Sequence, residues 1–269
     1  MAGERAILIT GATGGLGRAL ATELAPRSGR LLVHGRDPDK GLALVDELSA
    51  LDGAGEIEFL QADLASLDEV RGLADRVNEE PRLDVLVNNA GVGTAGEREE
   101  SADGYELTYA VNYLAPYVLS HALLPLLKSS APARIVNVAS LGQAPLDFDD
   151  LMLERSYSGP QAYAQSKLAL IMLTIDLADE LEGSGVTANA LHPGTYMPTQ
   201  MVRDAGVEPI DSLETGVEST INLIESPDLD GVSGRFFDRL SESAPLDQAL
   251  DPAARKMLRD ASGLLHGTP

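Results

Sequence analysis

Residues 162–167 read AYAQSK, which places Tyr163 and Lys167 four positions apart. On an α-helix such positions share a face, with Cβ atoms ~5–6 Å apart, so a phenol and an ammonium point into the same space. An ammonium beside a phenol favours the phenolate and draws the tyrosine pKa down from ~10, toward the range where it can give and take protons. That is general acid–base chemistry. The same spacing also suits a surface helix carrying an amphipathic tyrosine and a snorkelling lysine, so the pair needs support from the rest of the chain.

Composition removes several other chemistries. The chain has no cysteine, which excludes disulfides, thiolate metal sites and cysteine nucleophiles. Its four histidines, His34, His121, His192 and His266, show no metal-ligand spacing and read as structural, so no metal is expected. Forty-two acidic residues against twenty basic ones give a net charge of −22, which repels nucleic acid and anionic membrane surfaces. No window approaches the ~20 apolar residues of a membrane span, and the start MAGERAILITG lacks a signal core. These features predict a cytoplasmic protein with neither a nucleic-acid nor a membrane partner. At 269 residues the chain can form one domain, 1–269.

Short apolar runs recur at 6–10, 30–34, 57–61, 85–89, 134–138 and 186–191, with a further one at 234–238. Most are continuous rather than alternating, as in strands buried on both faces of a parallel sheet. Helix-like segments lie between them at 15–26, 38–51, 67–79, 104–128 and 160–182, with a closing helix at 252–262. Strand and helix alternate, which predicts a doubly wound α/β fold with a parallel sheet of about seven strands. The irregular pieces are 144–159 and 195–211, long enough to be lids or binding loops.

The first strand runs into TGATGGLG, residues 10–17, and then a helix. Glycines there allow a tight turn and a close approach of backbone to a pyrophosphate seated on the helix N-terminus. Two spacings compete: Gly11, Gly14 and Gly17, or Gly11, Gly15 and Gly17. The second strand ends in VHGRD, where an arginine would accommodate a 2′-phosphate and an acid would accept a ribose 2′-hydroxyl. Arg36 points to NADP(H), the favoured reading, and Asp37 keeps NAD(H) open.

With TGATGGLG, NNAG at 88–91, VAS ending in Ser140, YAQSK, and HPG at 192–194, the chain resembles the short-chain dehydrogenase/reductase family from about Ile7 to Phe237. The resemblance implies a single-domain Rossmann fold and hydride transfer between a nicotinamide and a carbonyl or alcohol carbon of a small molecule. It implies Tyr163 as proton donor, Ser140 as hydrogen-bonding partner of the substrate oxygen, Lys167 as the group that lowers the tyrosine pKa and binds the nicotinamide ribose, and Asn112 as holder of a relay water. It also implies a cofactor lining of Gly11, Thr13, Gly14, Gly15, Leu16 and Gly17, with Asp63 and Leu64 of QADL at the adenine. Asn89, Ala90 and Gly91 would follow, with Pro193 and Gly194 beside the nicotinamide. Where the family often has a threonine five places after that proline, this chain has Pro198, with Thr199 next. The helices at 104–128 and 160–182 resemble the family's usual association surface, which implies a homo-oligomer.

Ser140 and Tyr163 are twenty-three residues apart, and this longer spacing, with FDDLMLERSYSGPQAYAQSKLA and ALHPGTYMPTQM, resembles the retinol dehydrogenase and WW-domain oxidoreductase group and its bacterial relatives. A lipophilic carbonyl or alcohol is the expected substrate, in a pocket roofed by Leu146, Phe148, Leu151, Tyr196, Met197, Met201 and Val202. The rival is a catalytically silent module that senses NADP(H). Backbone physics adds one expectation. In a continuous helix over 104–128 the N–H of residue 116 would bond the Asn112 carbonyl, but residue 116 is proline. A bend between Asn112 and Pro116 follows, with the freed carbonyl facing Lys167 across a gap of one water.

Overall fold

In the computed structural model, which describes residues 5–93 and 96–266, the apolar runs become the strands of one sheet. They are β1 (Ala6–Ile9), β2 (Arg30–Gly35), β3 (Glu56–Gln61), β4 (Val85–Asn88), β5 (Ala133–Val138), β6 (Val186–His192) and β7 (Phe236–Asp238). An eighth, β8 (Ser241–Ser243), was not expected: three polar residues carry no strand pattern. The order is β3-β2-β1-β4-β5-β6-β7-β8, parallel throughout except for the last pair. Side chains alternate between two apolar layers. Leu8, Leu32, Leu86 and Ile135 face one layer, while Ile7, Ile9, Leu31, Val33, Val85 and Val87 face the other. Covering both faces is what makes these strands read as unbroken apolar runs.

The helices are α1 (Gly15–Leu24), α2 (Pro38–Ser49), α3 (Leu67–Val77), α4 (Leu107–Ser129), α5 (Gly159–Glu180), α6 (Gln200–Asp204), α7 (Leu213–Glu225), α8 (Asp247–Leu250) and α9 (Pro252–His266). Most starts are written in the sequence: Asp37 caps α2, Ser66 caps α3, and Ser158 caps α5. The helix α7 was not expected, although Ser212 caps it and Leu223 and Ile224 are buried. The segment 195–211, read as irregular, contains the short α6.

Helix α4 starts later than Gly104, which takes φ +82. The carboxylate of Glu106 accepts the N–H groups of Thr108 (3.0 Å) and Tyr109 (2.7 Å) and fixes the start at Leu107. Where a bend was expected between Asn112 and Pro116, the helix carries a π-helical stretch, Ala110–Leu114, in which the N–H of Ala115 reaches back to the carbonyl of Ala110. α4 is long and apolar enough to cross a membrane, but 72% of its apolar window is buried inside the protein, so it serves as a core helix. Helix α9 closes over α5, with Arg255 and Arg259 on Asp176, while Tyr113 of α4 bonds Ser262 at 2.7 Å.

Sheet order reverses direction between β1 and β4. At such a switch point the loops following the two strands diverge to opposite faces and leave a crevice at the carboxyl ends. The glycine turn, NNAG and the residue after β5 all emerge there.

Candidate active site

β1 runs into Thr10, whose buried hydroxyl accepts the N–H groups of Asn89 and Ala90, each at 3.0 Å, and donates to the Val87 carbonyl at 3.3 Å. The Asn89 amide donates to the carbonyls of Thr10 (2.8 Å) and Gly11 (3.3 Å). A second tie comes from β2: His34 Nδ1 accepts the N–H of Gly11 at 3.2 Å, so Nε2 carries the proton toward the Ala62 carbonyl at 3.1 Å. Burial pushes the His34 pKa down to about 4, which keeps the imidazole neutral and its acceptor available. Three chain segments are thereby fixed around the glycine turn.

Within that turn the competing spacings separate. Gly11 (φ +65) and Gly15 (φ +50) adopt left-handed backbone, and a Cβ on Gly17 would stand 2.3 Å from the Gly11 carbonyl oxygen and 2.5 Å from the Asn89 amide nitrogen. A Cβ on Gly14 would meet nothing within 4 Å among the described residues. Gly11, Gly15 and Gly17 are therefore the positions that demand glycine, and Gly14 borders open space. Helix α1 begins there with no side-chain cap and no acid in its first turn. Uncapped N–H groups beside an open glycine are the donor set an anionic pyrophosphate requires, so the residues fit a dinucleotide. Leu16 is buried in the core, and Thr13 packs on Gly35, where an added Cβ would stand 2.5 Å from its methyl.

At the end of β2 the two competing residues differ in occupation. The Asp37 carboxylate accepts the N–H groups of Asp39 (3.0 Å) and Lys40 (3.2 Å) as the cap of α2 and pairs with the Lys40 ammonium at 3.6 Å. Arg36 is exposed and has no ion pair among the described residues. Asp63 closes a local turn by accepting the Ala65 N–H at 2.9 Å, and Leu64 beside it is buried.

The second cluster gathers at the ends of β4 and β5. Ser140 follows β5 and its Oγ accepts the Gly142 N–H at 3.0 Å. A Cβ on Gly142 would lie 3.4 Å from Ser140 Oγ and 3.9 Å from the Tyr163 ring, so the two hydroxyl-bearing side chains face one space. Lys167 lies one helical turn below Tyr163, its Nζ 5.6 Å from the ring centroid and donating to the Val138 carbonyl at 2.9 Å. Gly91 completes the group: a Cβ there would be 3.3 Å from both Lys167 Nζ and Asn112 Oδ1. The Asn112 side chain accepts the Val92 N–H at 2.8 Å and donates to the Val92 carbonyl (2.9 Å) and Ser166 Oγ (3.0 Å). Underneath, Asn88 bonds Ser120 and Asn137, and Asn137 bonds Thr174, which ties β4, β5, α4 and α5 together through buried polar side chains.

The expected lowering of the tyrosine pKa is not found. Burial moves the Tyr163 phenol above its ordinary range, the hydrogen bond with Ser140 countering part of the shift and Tyr196 adding to it. Burial also lowers Lys167 to about 8, and its ammonium turns to the Val138 carbonyl rather than to the phenol. Sequence spacing saw the neighbouring charge; it could not see the desolvation of both groups.

Segment 195–211 lies over the glycine turn. Thr199 caps α6 by accepting the Val202 N–H at 3.4 Å, and its methyl would be 3.1 Å from a Cβ on Gly15. Met201 rests on Gly93 and Met197 on Gly194 and Gly216, while Pro193 and Gly194 are buried. The expected roof is only partly a roof. Leu146 is buried in the core, Phe148 and Leu151 pack against it, and Met197 belongs to the opposite core layer. Tyr196 is 50% exposed and Ile210 68% exposed, and these remain at the surface. Gln248 was missed by sequence reading: its amide accepts the Leu146 N–H at 2.7 Å and donates to the Leu146 carbonyl at 3.1 Å, pinning the chain six residues beyond Ser140.

Comparisons with known proteins agree with this arrangement. Residues 5–208 match the family described as short chain dehydrogenase. Human retinol dehydrogenase 14 is 38% identical over 98% of this chain and 86% of its own length, and human retinol dehydrogenase 13 is 36% identical over 98% and 85%. Among solved structures, an uncharacterized protein from Mycobacterium paratuberculosis superposes with a TM-score of 0.78 at 29% identity, covering 99% of this chain and 94% of that one. NADPH-bound carbonyl reductase from chicken fatty liver superposes with a TM-score of 0.70 at 26% identity, covering 90% and 100%. With a matching fold, a crevice that fits a dinucleotide and relatives of this identity over nearly the whole length, the chain belongs to the short-chain dehydrogenase/reductase family, as an NAD(P)-dependent oxidoreductase of the retinol dehydrogenase group.

Proposed function

We propose that the protein is an NADP-preferring oxidoreductase acting on a carbonyl or secondary alcohol of a lipophilic small molecule. The observation that carries the reading is the convergence of Ser140, Tyr163 and Lys167 at the mouth of the sheet's switch-point crevice. When bound, the cofactor supplies or takes the hydride at carbon. In the reducing direction Tyr163 gives a proton to the substrate oxygen as negative charge develops there, and Ser140 donates a hydrogen bond to the same atom. A phenol whose pKa stands above its ordinary range stays protonated and ready to donate. Lys167 holds a buried ammonium beside Gly91, where it is placed to bond the nicotinamide ribose, and Asn112 braces the same wall. Gly11, Gly15, Gly17 and the start of α1 would hold the pyrophosphate, with Asn89 and Ala90 locking the turn.

NADP preference is supported by the exposed guanidinium of Arg36, which has no ion pair among the described residues, beside an Asp37 carboxylate already engaged in capping α2. A guanidinium can meet a 2′-phosphate with paired charge-assisted hydrogen bonds. A lipophilic substrate is supported by the exposed apolar residues Leu141, Tyr196 and Ile210, and by the retinol dehydrogenase names of the relatives.

The test is a panel of lipophilic ketones and aldehydes followed by NADPH absorbance. Wild type should turn over part of the panel, and Tyr163→Phe should lose at least ~10²-fold in kcat while still binding cofactor. Arg36→Leu should weaken NADP(H) about tenfold more than NAD(H). A near-normal rate in the tyrosine variant would overturn the mechanism, and equal losses for both cofactors would overturn the preference. Tight NADP(H) binding with no turnover anywhere in the panel would favour a sensor.

A further inference from the structure

The two ends of segment 195–211 meet. The N–H of Asp211 donates to the Thr195 carbonyl at 2.9 Å, and the Thr195 N–H donates back to Asp211 Oδ2 at 2.6 Å. Next to them the Ile210 N–H reaches the Tyr196 carbonyl at 3.2 Å. The junction is gripped from outside by a residue of the turn between β7 and β8. The Arg239 guanidinium bonds the Asp211 carboxylate and sits 3.4 Å from Thr195 Oγ1 and 2.8 Å from Asp238 Oδ1. The Arg239 backbone N–H donates to the His192 carbonyl at 2.8 Å, and His192 Nε2 bonds Thr195 Oγ1 at 3.0 Å. One arginine therefore touches both ends of the segment and the strand end that leads into Pro193 and Gly194.

The backbone at this place makes the arrangement informative. Arg239 has φ +54, a left-handed conformation that glycine or asparagine adopts far more readily. Tyr196, the first residue inside the junction, is also left-handed at φ +45. A long cationic side chain held in a disfavoured backbone state is explained by what its guanidinium does.

We propose that Arg239 is a positioning residue that latches the lid 195–211 through Asp211 and Thr195. The latch fixes where the lid leaves and rejoins the body. From there Thr199 is carried over Gly15, Met201 over Gly93, and Tyr196 to where it raises the Tyr163 pKa. Loss of the latch frees the lid while the bonds that hold Ser140 to Gly142 and Lys167 to Val138 stay in place. Its consequence for turnover rests on the oxidoreductase reading above; its consequence for the lid does not.

The experiment compares wild type with Arg239→Gly, Arg239→Lys and Asp211→Asn. The glycine variant relieves the left-handed backbone, so a defect in it reports the missing guanidinium rather than strain. Hydrogen–deuterium exchange is read in peptides covering 196–210 and in peptides of the central strands. In Arg239→Gly and Asp211→Asn, exchange over 196–210 should rise about tenfold with the strands unchanged, and Arg239→Lys should fall between. With any substrate that wild type turns over, the same variants should raise KM about fivefold or more with a smaller change in kcat. Unchanged exchange over 196–210 in both Arg239→Gly and Asp211→Asn, or an equal rise in the strands, would overturn the latch. If wild type turns over no substrate, the oxidoreductase reading fails while exchange alone still decides the latch.

Discussion

Around the glycine turn, buried Thr10 and His34 and half-buried Asn89 join the ends of β1, β2 and β4 by short bonds, nearly all to backbone. The lid on the other wall of the same crevice is anchored by Asp211 and Arg239, two partly exposed side chains far apart in sequence, and it leaves Ile210 in solvent. The difference separates two tasks. A dinucleotide presents one invariant shape, and a rigid backbone cradle suits it. Substrates vary, and a lid held by a few side chains can change without disturbing the sheet.

If the cradle is as rigid as its contacts indicate, the largest effect should come from Gly17→Ala. The added carbon would face the backbone carbonyl oxygen of Gly11 at 2.3 Å, which cannot swing aside as a side chain can. Cofactor binding should weaken by about 100-fold or more, measured by titrating NADPH fluorescence, because the turn must open to make room. Affinity close to wild type would show the cradle to be pliable and erase the contrast.

A smaller effect is expected at His34. Replacing it by Leu leaves the Gly11 N–H and the Ala62 carbonyl without their partner, and NADP(H) binding should fall about tenfold with kcat little changed. The same residue gives the cradle an acid signature. Its pKa is depressed from 6.5 to about 4, so the unfolded chain binds the extra proton first. Its contribution to stability should fall as pH drops from 6.5 to about 4, by on the order of 3 kcal/mol in all, and change no further below that. Urea melts of His34→Leu should show a flatter pH dependence across this window, and parallel slopes would argue against a neutral buried imidazole.

The smallest effect sharpens the other side. Gln248→Ala removes both bonds to the Leu146 backbone, at a cost of about 1–2 kcal/mol in stability. Substrate KM should rise a few fold with NADPH affinity unchanged. Weakened NADPH binding in this variant would mean that the two walls are mechanically coupled.

What could be read from sequence divides along the same line. Strands buried on both faces announce themselves as apolar runs, and the cradle glycines and the Tyr163–Lys167 spacing are local patterns. His34, Gln248 and Arg239 act on partners at Gly11 and Ala62, Leu146, and Asp211, so nothing in their own neighbourhood marks them. The helix α7 was missed despite a local signal, its Ser212 cap. The strand β8 had none, since its three polar residues pair only because β7 lies beside them. The direction of the Tyr163 shift failed for a similar reason, because burial is a property of the assembled chain.

The π-helical stretch Ala110–Leu114 amounts to one residue more than a regular helix would hold. Removing a single residue there would restore an ordinary ladder, but each residue advances an α-helix by about 100°, so everything on one side of the deletion would rotate by that angle relative to the other. Asn112 could not then meet Val92 and Ser166 while Leu119 and Leu123 still met the core. The irregular turn is a phase shift within one helix: it indexes Asn112 to the crevice while the residues beyond Pro116 stay indexed to the packed interior.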